Sequence, residues 1–579
     1  MTRPLAAVIC VLGAAGALAC RSQPAAHPAA AATPAAATSN PRFEWFAYEG
    51  NDSVYRAQRA GPDDYYNPII AGFYPDPTII RVGGDFYVAT SSFAYFPGVP
   101  IFHSKDLVNW TQIGHILDRP SQLNLDSAGV SRGIFAPSLS HHDGTFYMIT
   151  TLVDRGGNFF VTATNPAGPW SDPIWLRELD GIDPSFFFDD DGKVYILNNG
   201  PPVGTPLYEG HRAIWMQEYD MAAKKLVGAR SVIVNGGVDL AKKPIWIEAP
   251  HIFKRDGAYY LICAEGGTAD QHSEVVFRSD SVHGPYVPYG GNPILTQRHL
   301  DPTRPFPVET TGHADFVETP NGEWWAVFLG TRNYGRDLFN TGRETFLLPV
   351  RWVDGWPVIL TGRNTVAYVH ARPKLPAQPK PAVPHSGNFA FRDEFDATSL
   401  APYWMLLRTS RERWYDLTSA PGSITIRARP VGLGDRDQPS FIGRRQQHGW
   451  ASASAAMTYA PGQPGDAAGL VAFHDEAHYY FLAVADSGGQ PVIRLEKRAG
   501  QATPAEGTVV ASQPIRLSPN SPIYLRIQAR DDRYDFYYGT RLDEWTLLAG
   551  DADGTILSTK SARSFVGTVF GMYAYSHAP

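Results

Sequence analysis

The apolar residues of this chain fall into a pattern that recurs along its first two thirds. FYPDPTIIRVGGDFYVAT begins at Phe73, FAPSLSHHDGTFYMIT at Phe135, IDPSFFFDDDGKVYIL at Ile182, EAPHIFKRDGAYYLIC at Glu248 and GHADFVETPNGEWWAVF at Gly312. In each copy an apolar run of strand length leads into a turn containing Gly, and a second run rich in Tyr, Trp or Val follows. Glycine reverses the chain between two alternating strands, so each copy predicts a β-hairpin. A spacing of roughly 45 to 65 residues holds one four-stranded blade per copy, which predicts a five-bladed β-propeller. An open array of β-sandwiches is the alternative architecture for such a repeat.

Two breaks in the pattern divide the chain. Residues 21–40 are almost wholly Ala, Pro, Thr and Ser, a composition that buries no core and predicts a solvated tether. Residues 371–386 are proline-rich and predict a semi-rigid connector. The propeller is therefore placed at 41–370 and a second β domain at 387–579. Ahead of the tether, residues 1–20 carry one basic residue, Arg3, an apolar stretch from Leu5 to Leu18, and small residues before Cys20. That stretch is too short to span a bilayer and predicts an export signal, hence a periplasmic, outer-envelope or secreted protein. Ala17-Leu18-Ala19-Cys20 resembles a lipoprotein cleavage box that would leave a lipid anchor on Cys20; an ordinary signal-peptidase site is the alternative.

Composition agrees with an all-β reading: aromatic residues make up 12% of the chain and charged residues 18%, with Gly 54 and Pro 48. The net charge is −7 and basic residues are scattered singly, so no stripe for nucleic acid is present. The 14 Trp and 28 Tyr suit the apolar faces of neutral sugars instead. Once Cys10 is cleaved off, Cys20 and Cys263 support neither a disulfide framework nor a cysteine metal site.

The repeat also predicts where chemistry sits. The innermost strand of every blade lines the central axis, so equivalent repeat positions converge there. That position or its neighbour is Asp76, Asp183 and Glu248 in the first, third and fourth copies, Ala136 in the second, and His313-Ala314-Asp315 in the fifth. Hydrolysing a glycosidic bond needs a proton donor for the leaving oxygen and a base or nucleophile on the other face of the sugar. A further carboxylate close by raises the proton affinity of the donor. For Asp76 and Asp183 the structural alternative is an Asp-Pro turn. Asp189, Asp190 and Asp191 fall in a hairpin turn and read as solvated.

At these residues the chain resembles glycoside hydrolase family 43, the β-xylosidases and α-L-arabinofuranosidases. The likeness runs from NPIIAGFYPDPTII at Asn67 through PGVPIFHSKDLVNW (Pro97 to Trp110), IDPSFFFDDDG around Asp183, EAPHIFKRDGAYYL from Glu248 and GHADFVET from Gly312 to GRETFLLPVRWVDGWP ending at Pro357. It implies Asp76 as general base, Glu248 as general acid and Asp183 as the carboxylate that orients and tunes Glu248, in a single inverting displacement. It also implies sugar binding by Arg343, an aromatic wall at Phe93, and stacking at Phe135, where the family more often has Trp. Core packing is the alternative for Phe93 and a surface loop arginine for Arg343. His313 matches a histidine that either bonds within the pocket or helps hold Ca²⁺ on the axis; hard Ca²⁺ prefers oxygen ligands, which favours the pocket role. Ala249 stands where many relatives have Gly.

In the second domain FRDEFDATSL, SFIGRRQQHGW from Ser440 and AGLVAFHDEAHYYFLAV from Ala468 resemble the concanavalin-like β-sandwich (jelly-roll) of these β-xylosidases. A loop of that domain closes the pocket in relatives, and Phe565 is the candidate here; MYAYSHAP lacks the acidic residue many relatives keep near the end. The expected activity is exo-acting release of xylose from xylo-oligosaccharides, with or without arabinofuranosidase activity. An enzyme acting mainly on arabinofuranosides of arabinoxylan or arabinan is the second reading, and a binding-only propeller the third. No cofactor is required by this chemistry, and homo-oligomers are known among such relatives.

Overall fold

Alternating strands joined by glycine turns close into a ring of five four-stranded antiparallel sheets, the predicted propeller. The computed structural model describes residues 40–517 and 521–577; the expected leader and nearly all of the tether, with Cys10 and Cys20, lie outside them. The innermost strands are Thr78–Val82, Ser138–His142, Ile182–Phe188, Glu248–Arg255 and Val308–Glu318. Each contacts the next, and the fifth contacts the first, so they surround one axis. The turns are as the sequence dictates: Asp143-Gly144 and Asp256-Gly257 both take left-handed backbone, with φ of 47°, 73°, 51° and 81°, as a tight hairpin with right-twisted strands requires.

Among the described residues no blade borrows a strand from another. The ring is instead clasped where chain ends meet, by pairing of Asp64–Tyr66 with Val369–Ala371. Beside it the buried Asn67 side chain donates to Leu347 O and accepts from Leu347 N, both at 2.9 Å, imitating a strand partner for the fifth blade. The proline-rich connector runs along the first blade, held where Arg372 Nη2 reaches Asp106 at 2.6 Å and Gln378 Oε1 accepts from Lys105 N at 2.7 Å.

The second domain is a sandwich of two eight-stranded sheets. Its strand Ile523–Arg530 shows the period of a half-buried strand without interruption, burying Ile523, Leu525, Ile527 and Ala529. One boundary is corrected. The strand Arg42–Gly50, expected to open the propeller, pairs with Trp450–Thr458 and Ala390–Asp393 and so belongs to the sandwich. Its period-2 pattern predicts a strand but carries no information about the sheet it joins. The propeller returns the exchange: Tyr95–Phe96, in the first blade's loop, pairs with Met405–Leu407 at the edge of the other sandwich sheet. One apolar cluster consequently runs from Ile101 and Leu117 of the first blade to Leu406 and Ile527 of the sandwich.

Candidate active site

The axis ends of the inner strands are irregular, and the irregularity aims the carboxylates. Pairing slips between Ile182 and Ser185, between Glu248 and His251, and twice between Glu309 and Asp315. At or beside these slips Asp183, Ala249 and His313 take left-handed backbone, φ 54°, 50° and 54°, as does Asp76 (55°) just ahead of the first inner strand. A bulge of this kind turns a side chain out of the sheet face. Gly181 permits the third blade's version: a Cβ there would lie 1.8 Å from Asn199 O. Asn199 Nδ2 in turn donates to Ile247 O at 2.6 Å, and Ser185 Oγ to Pro250 O at 2.5 Å, so the strand ends bearing Asp183 and Glu248 are tied together.

The result is one cavity of about 540 Å³ lined by Asp76, Asp183 and Glu248 together with Arg343, His313, Phe93, Phe135 and Phe565. All eight residues expected at the site therefore meet. Such a volume is within the range of small-ligand pockets. Arg343 Nη1 donates to Asp76 Oδ1 at 2.7 Å and Ser91 Oγ to Asp76 Oδ2 at 2.5 Å. Burial alone would raise the Asp76 carboxyl, but the Arg343 guanidinium and the Ser91 hydroxyl hold it below its ordinary value. Glu248 is pushed the other way, to about 7, by burial and then by the charge of Asp76, against smaller opposing effects of Arg343 and Arg212. Asp183 is driven well above its ordinary value by burial, then by Glu248 and Asp76, while the Ala249 N–H beside it pulls in the opposite direction. Repulsion between Asp183 and Glu248 is mutual, so the two titrate as a pair.

Three phenylalanines form the wall. Phe93 and Phe135 meet edge to face at 5.8 Å, Phe135 and Phe565 likewise at 5.8 Å, and Phe93 and Phe565 stack at 6.4 Å. Phe93 is both wall and core, being 1% exposed. Phe565 arrives from the sandwich: its N–H donates to Ser131 Oγ at 3.0 Å, and Arg343 lies 5.6 Å over its ring. Close approach of two glycines brings that loop in, since a Cβ on Gly342 would sit 2.9 Å from Gly567 N. Thr568 N, donating to Asn340 O at 2.7 Å, fixes the same contact.

Sequence reasoning missed Ser91, Thr268, Arg132, Arg212 and Trp246. Thr268 Oγ1 accepts from Arg343 at 3.1 Å, and Arg132 lies 5.5 Å over the Phe135 ring. Each is a single residue in a loop, outside any motif. Another expectation is corrected: Asp189 is not solvated but 7% exposed, receiving Lys254 Nζ at 3.0 Å and Tyr259 OH at 2.9 Å across the third and fourth blades. The Asp190 and Asp191 side of that turn is exposed as expected. His313 is buried with Nδ1 3.7 Å from Asp76 Oδ1, and burial pushes it down to about 3, leaving a neutral ring. Among the described residues no group of three or more His, Cys, Asp or Glu gathers as a metal site.

Comparison with known proteins agrees with this geometry. Residues 65–357 match the family described as "Glycosyl hydrolases family 43", and residues 392–579 match "Beta xylosidase C-terminal Concanavalin A-like domain". A "Xylosidase/arabinosidase" from Butyrivibrio fibrisolvens is 39% identical over 88% of this chain and 96% of its own. A "Non-reducing end alpha-L-arabinofuranosidase BoGH43B" from Bacteroides ovatus is 37% identical over 88% of this chain and 91% of its own. Among solved structures, one titled as a GH43_12 retrieved from capybara gut metagenome superposes with a TM-score of 0.85 at 39% identity, covering 93% of this chain and 100% of that one.

Proposed function

The chain belongs to glycosyl hydrolases family 43, and from that premise we propose an exo-acting, inverting glycosidase that releases xylose from xylo-oligosaccharides and also accepts terminal α-L-arabinofuranose. The observation that carries the reading is the opposite tuning of two carboxyls in one cavity: Asp76 held low and Glu248 raised to about 7. A low-pKa carboxylate is ionised and ready to take a proton from water; a carboxyl near 7 keeps its proton for the leaving oxygen. In this proposal Asp76 deprotonates the attacking water, Glu248 protonates the glycosidic oxygen as its bond breaks, and the product has inverted anomeric configuration. Inversion requires base and acid about 6.5–9.5 Å apart, with a water between base and sugar.

Asp183 acts through Glu248, orienting it and sharing its titration. Arg343 holds Asp76 and presents its remaining donors to sugar hydroxyls. Phe93, Phe135 and Phe565 supply an apolar wall for the terminal ring, with Phe135 a smaller platform than Trp. The Phe565 loop closes one side of the cavity, which favours attack at a chain end. The buried neutral His313 suits a pocket role beside Asp76 better than Ca²⁺ ligation. Export with a lipid on Cys20 completes the proposal; palmitate labelling that persists in Cys20→Ser would remove the anchor.

The test is a substrate panel. The purified protein is expected to release xylose from xylobiose and nitrophenol from both the β-xyloside and the α-L-arabinofuranoside, with the xyloside preferred. Preference for the arabinofuranoside would reverse the ranking, and binding without release of any pentose would leave a lectin.

A further inference from the structure

Two large apolar side chains exposed to solvent are neighbours in sequence and line the catalytic cavity: Ile245 and Trp246, each 39% exposed. Trp246 also has φ 52°, a conformation that bulky L-residues rarely adopt. It is held there deliberately. Trp246 N donates to Gly210 O at 2.9 Å, and Gly266 N donates to Ile245 O at 2.9 Å, fixing the segment on both sides. Arg212 lies 5.0 Å over the indole, its own Nε and Nη2 anchored on Asn199 Oδ1 at 3.0 and 2.6 Å. An exposed, strained, cation-backed indole at a cavity is a costly arrangement if it only fills space.

Its position says what it would touch. Trp246 precedes Glu248 by two residues where the third and fourth blades meet, whereas Asp76 and Phe93 enter the cavity from the first blade, Phe135 from the second and Phe565 from the sandwich. A general acid must stand at the bond between the terminal sugar and the leaving group, so apolar surface beyond the acid faces the leaving group. We propose that Trp246, backed by Arg212 and flanked by Ile245, is the platform for the leaving-group sugar, stacking on its C–H face and setting the preference for oligosaccharides over simple glycosides. This rests on the proposed glycosidase reading and extends it to the second sugar.

The test compares two leaving groups in the full-length protein. For Trp246→Ala, kcat/KM on xylobiose is expected to fall roughly 10–100-fold, the range for a lost apolar contact in a specificity pocket. On β-xylosyl fluoride, whose leaving group has no ring, the loss should be at least about tenfold smaller on the same reasoning. Trp246→Phe should recover most of the xylobiose activity, and inhibition by free xylose should change little. Equal losses on both substrates, or none on either, would overturn the platform. A parent protein inactive on both xylosides would contradict the proposed xylose preference instead, and the same ratio read on whichever pentoside it does cleave would then decide the platform.

Discussion

At the residue scale the account turns on how one cavity gives two carboxyls opposite proton affinities. Asp76 must be ionised and Glu248 protonated, so activity requires a pH above the first value and below the second. For a disaccharide, kcat/KM is expected to stay level up to about 7 and then fall, tenfold per pH unit, as Glu248 loses its proton. The acid limb belongs to Asp76, which Arg343 helps hold low; Arg343→Gln should move that limb to higher pH as well as weaken binding. A pH profile of both proteins checks this, and an acid limb that does not move would detach Arg343 from Asp76. The carboxylates, Arg343 and the phenylalanine wall were legible because motifs surround them. Ser91, Thr268 and Trp246 were not, because nothing in a loop sequence says which residue the fold will bring to an axis.

At the element scale, the hairpins were legible because strand alternation and Asp-Gly turns are local properties. The bulges were not. A sequence shows Asp183 and Ala249 but not that the ladder slips there and sets them in left-handed backbone. In the third and fourth blades these slips set the backbone beside Asp183 and Glu248, whereas Asp76 takes its left-handed φ ahead of an unslipped strand. Gly181 is the sharpest test, since any side chain meets Asn199 O and its φ of 94° favours Gly. Gly181→Ala is expected to destabilise the fold by about 2 kcal/mol or more, through strain together with a forced shift. Activity should fall further than stability explains, because Asp183 follows two residues later. Thermal unfolding and kcat/KM of the variant check both, and an unchanged kcat/KM would separate the bulge from the chemistry. The Asp189 pair with Lys254 shows the same limit in reverse, a turn residue made structural by a neighbouring blade.

At the scale of the whole molecule, two domains were legible from the proline-rich break, and their exchange of strands was not. Arg42–Gly50 precedes the propeller in sequence and lies in the sandwich, Tyr95–Phe96 leaves the first blade to join it, and Phe565 returns to the cavity. A buried ion pair joins the domains as well: Arg332 Nη1 meets Asp52 at 2.5 Å and its Nη2 donates to Gln447 O at 2.7 Å, while Glu344 of the same blade fixes its Nε at 2.6 Å. With one apolar cluster spanning both, the chain should unfold in a single calorimetric transition, and residues 41–370 alone should not give a stable propeller. Two separated transitions would contradict that coupling.

The central claim is the division of labour between Asp76 and Glu248, and it is tested most directly by pairing two variants with two leaving groups. Glu248→Gln should lose roughly 10²–10⁴-fold in kcat/KM on xylobiose, which needs its leaving oxygen protonated, and far less on dinitrophenyl β-xyloside, which does not. Asp76→Asn should lose activity to a similar, large extent on both, because every substrate needs the activated water. The same pattern of loss in the two variants would contradict the assignment.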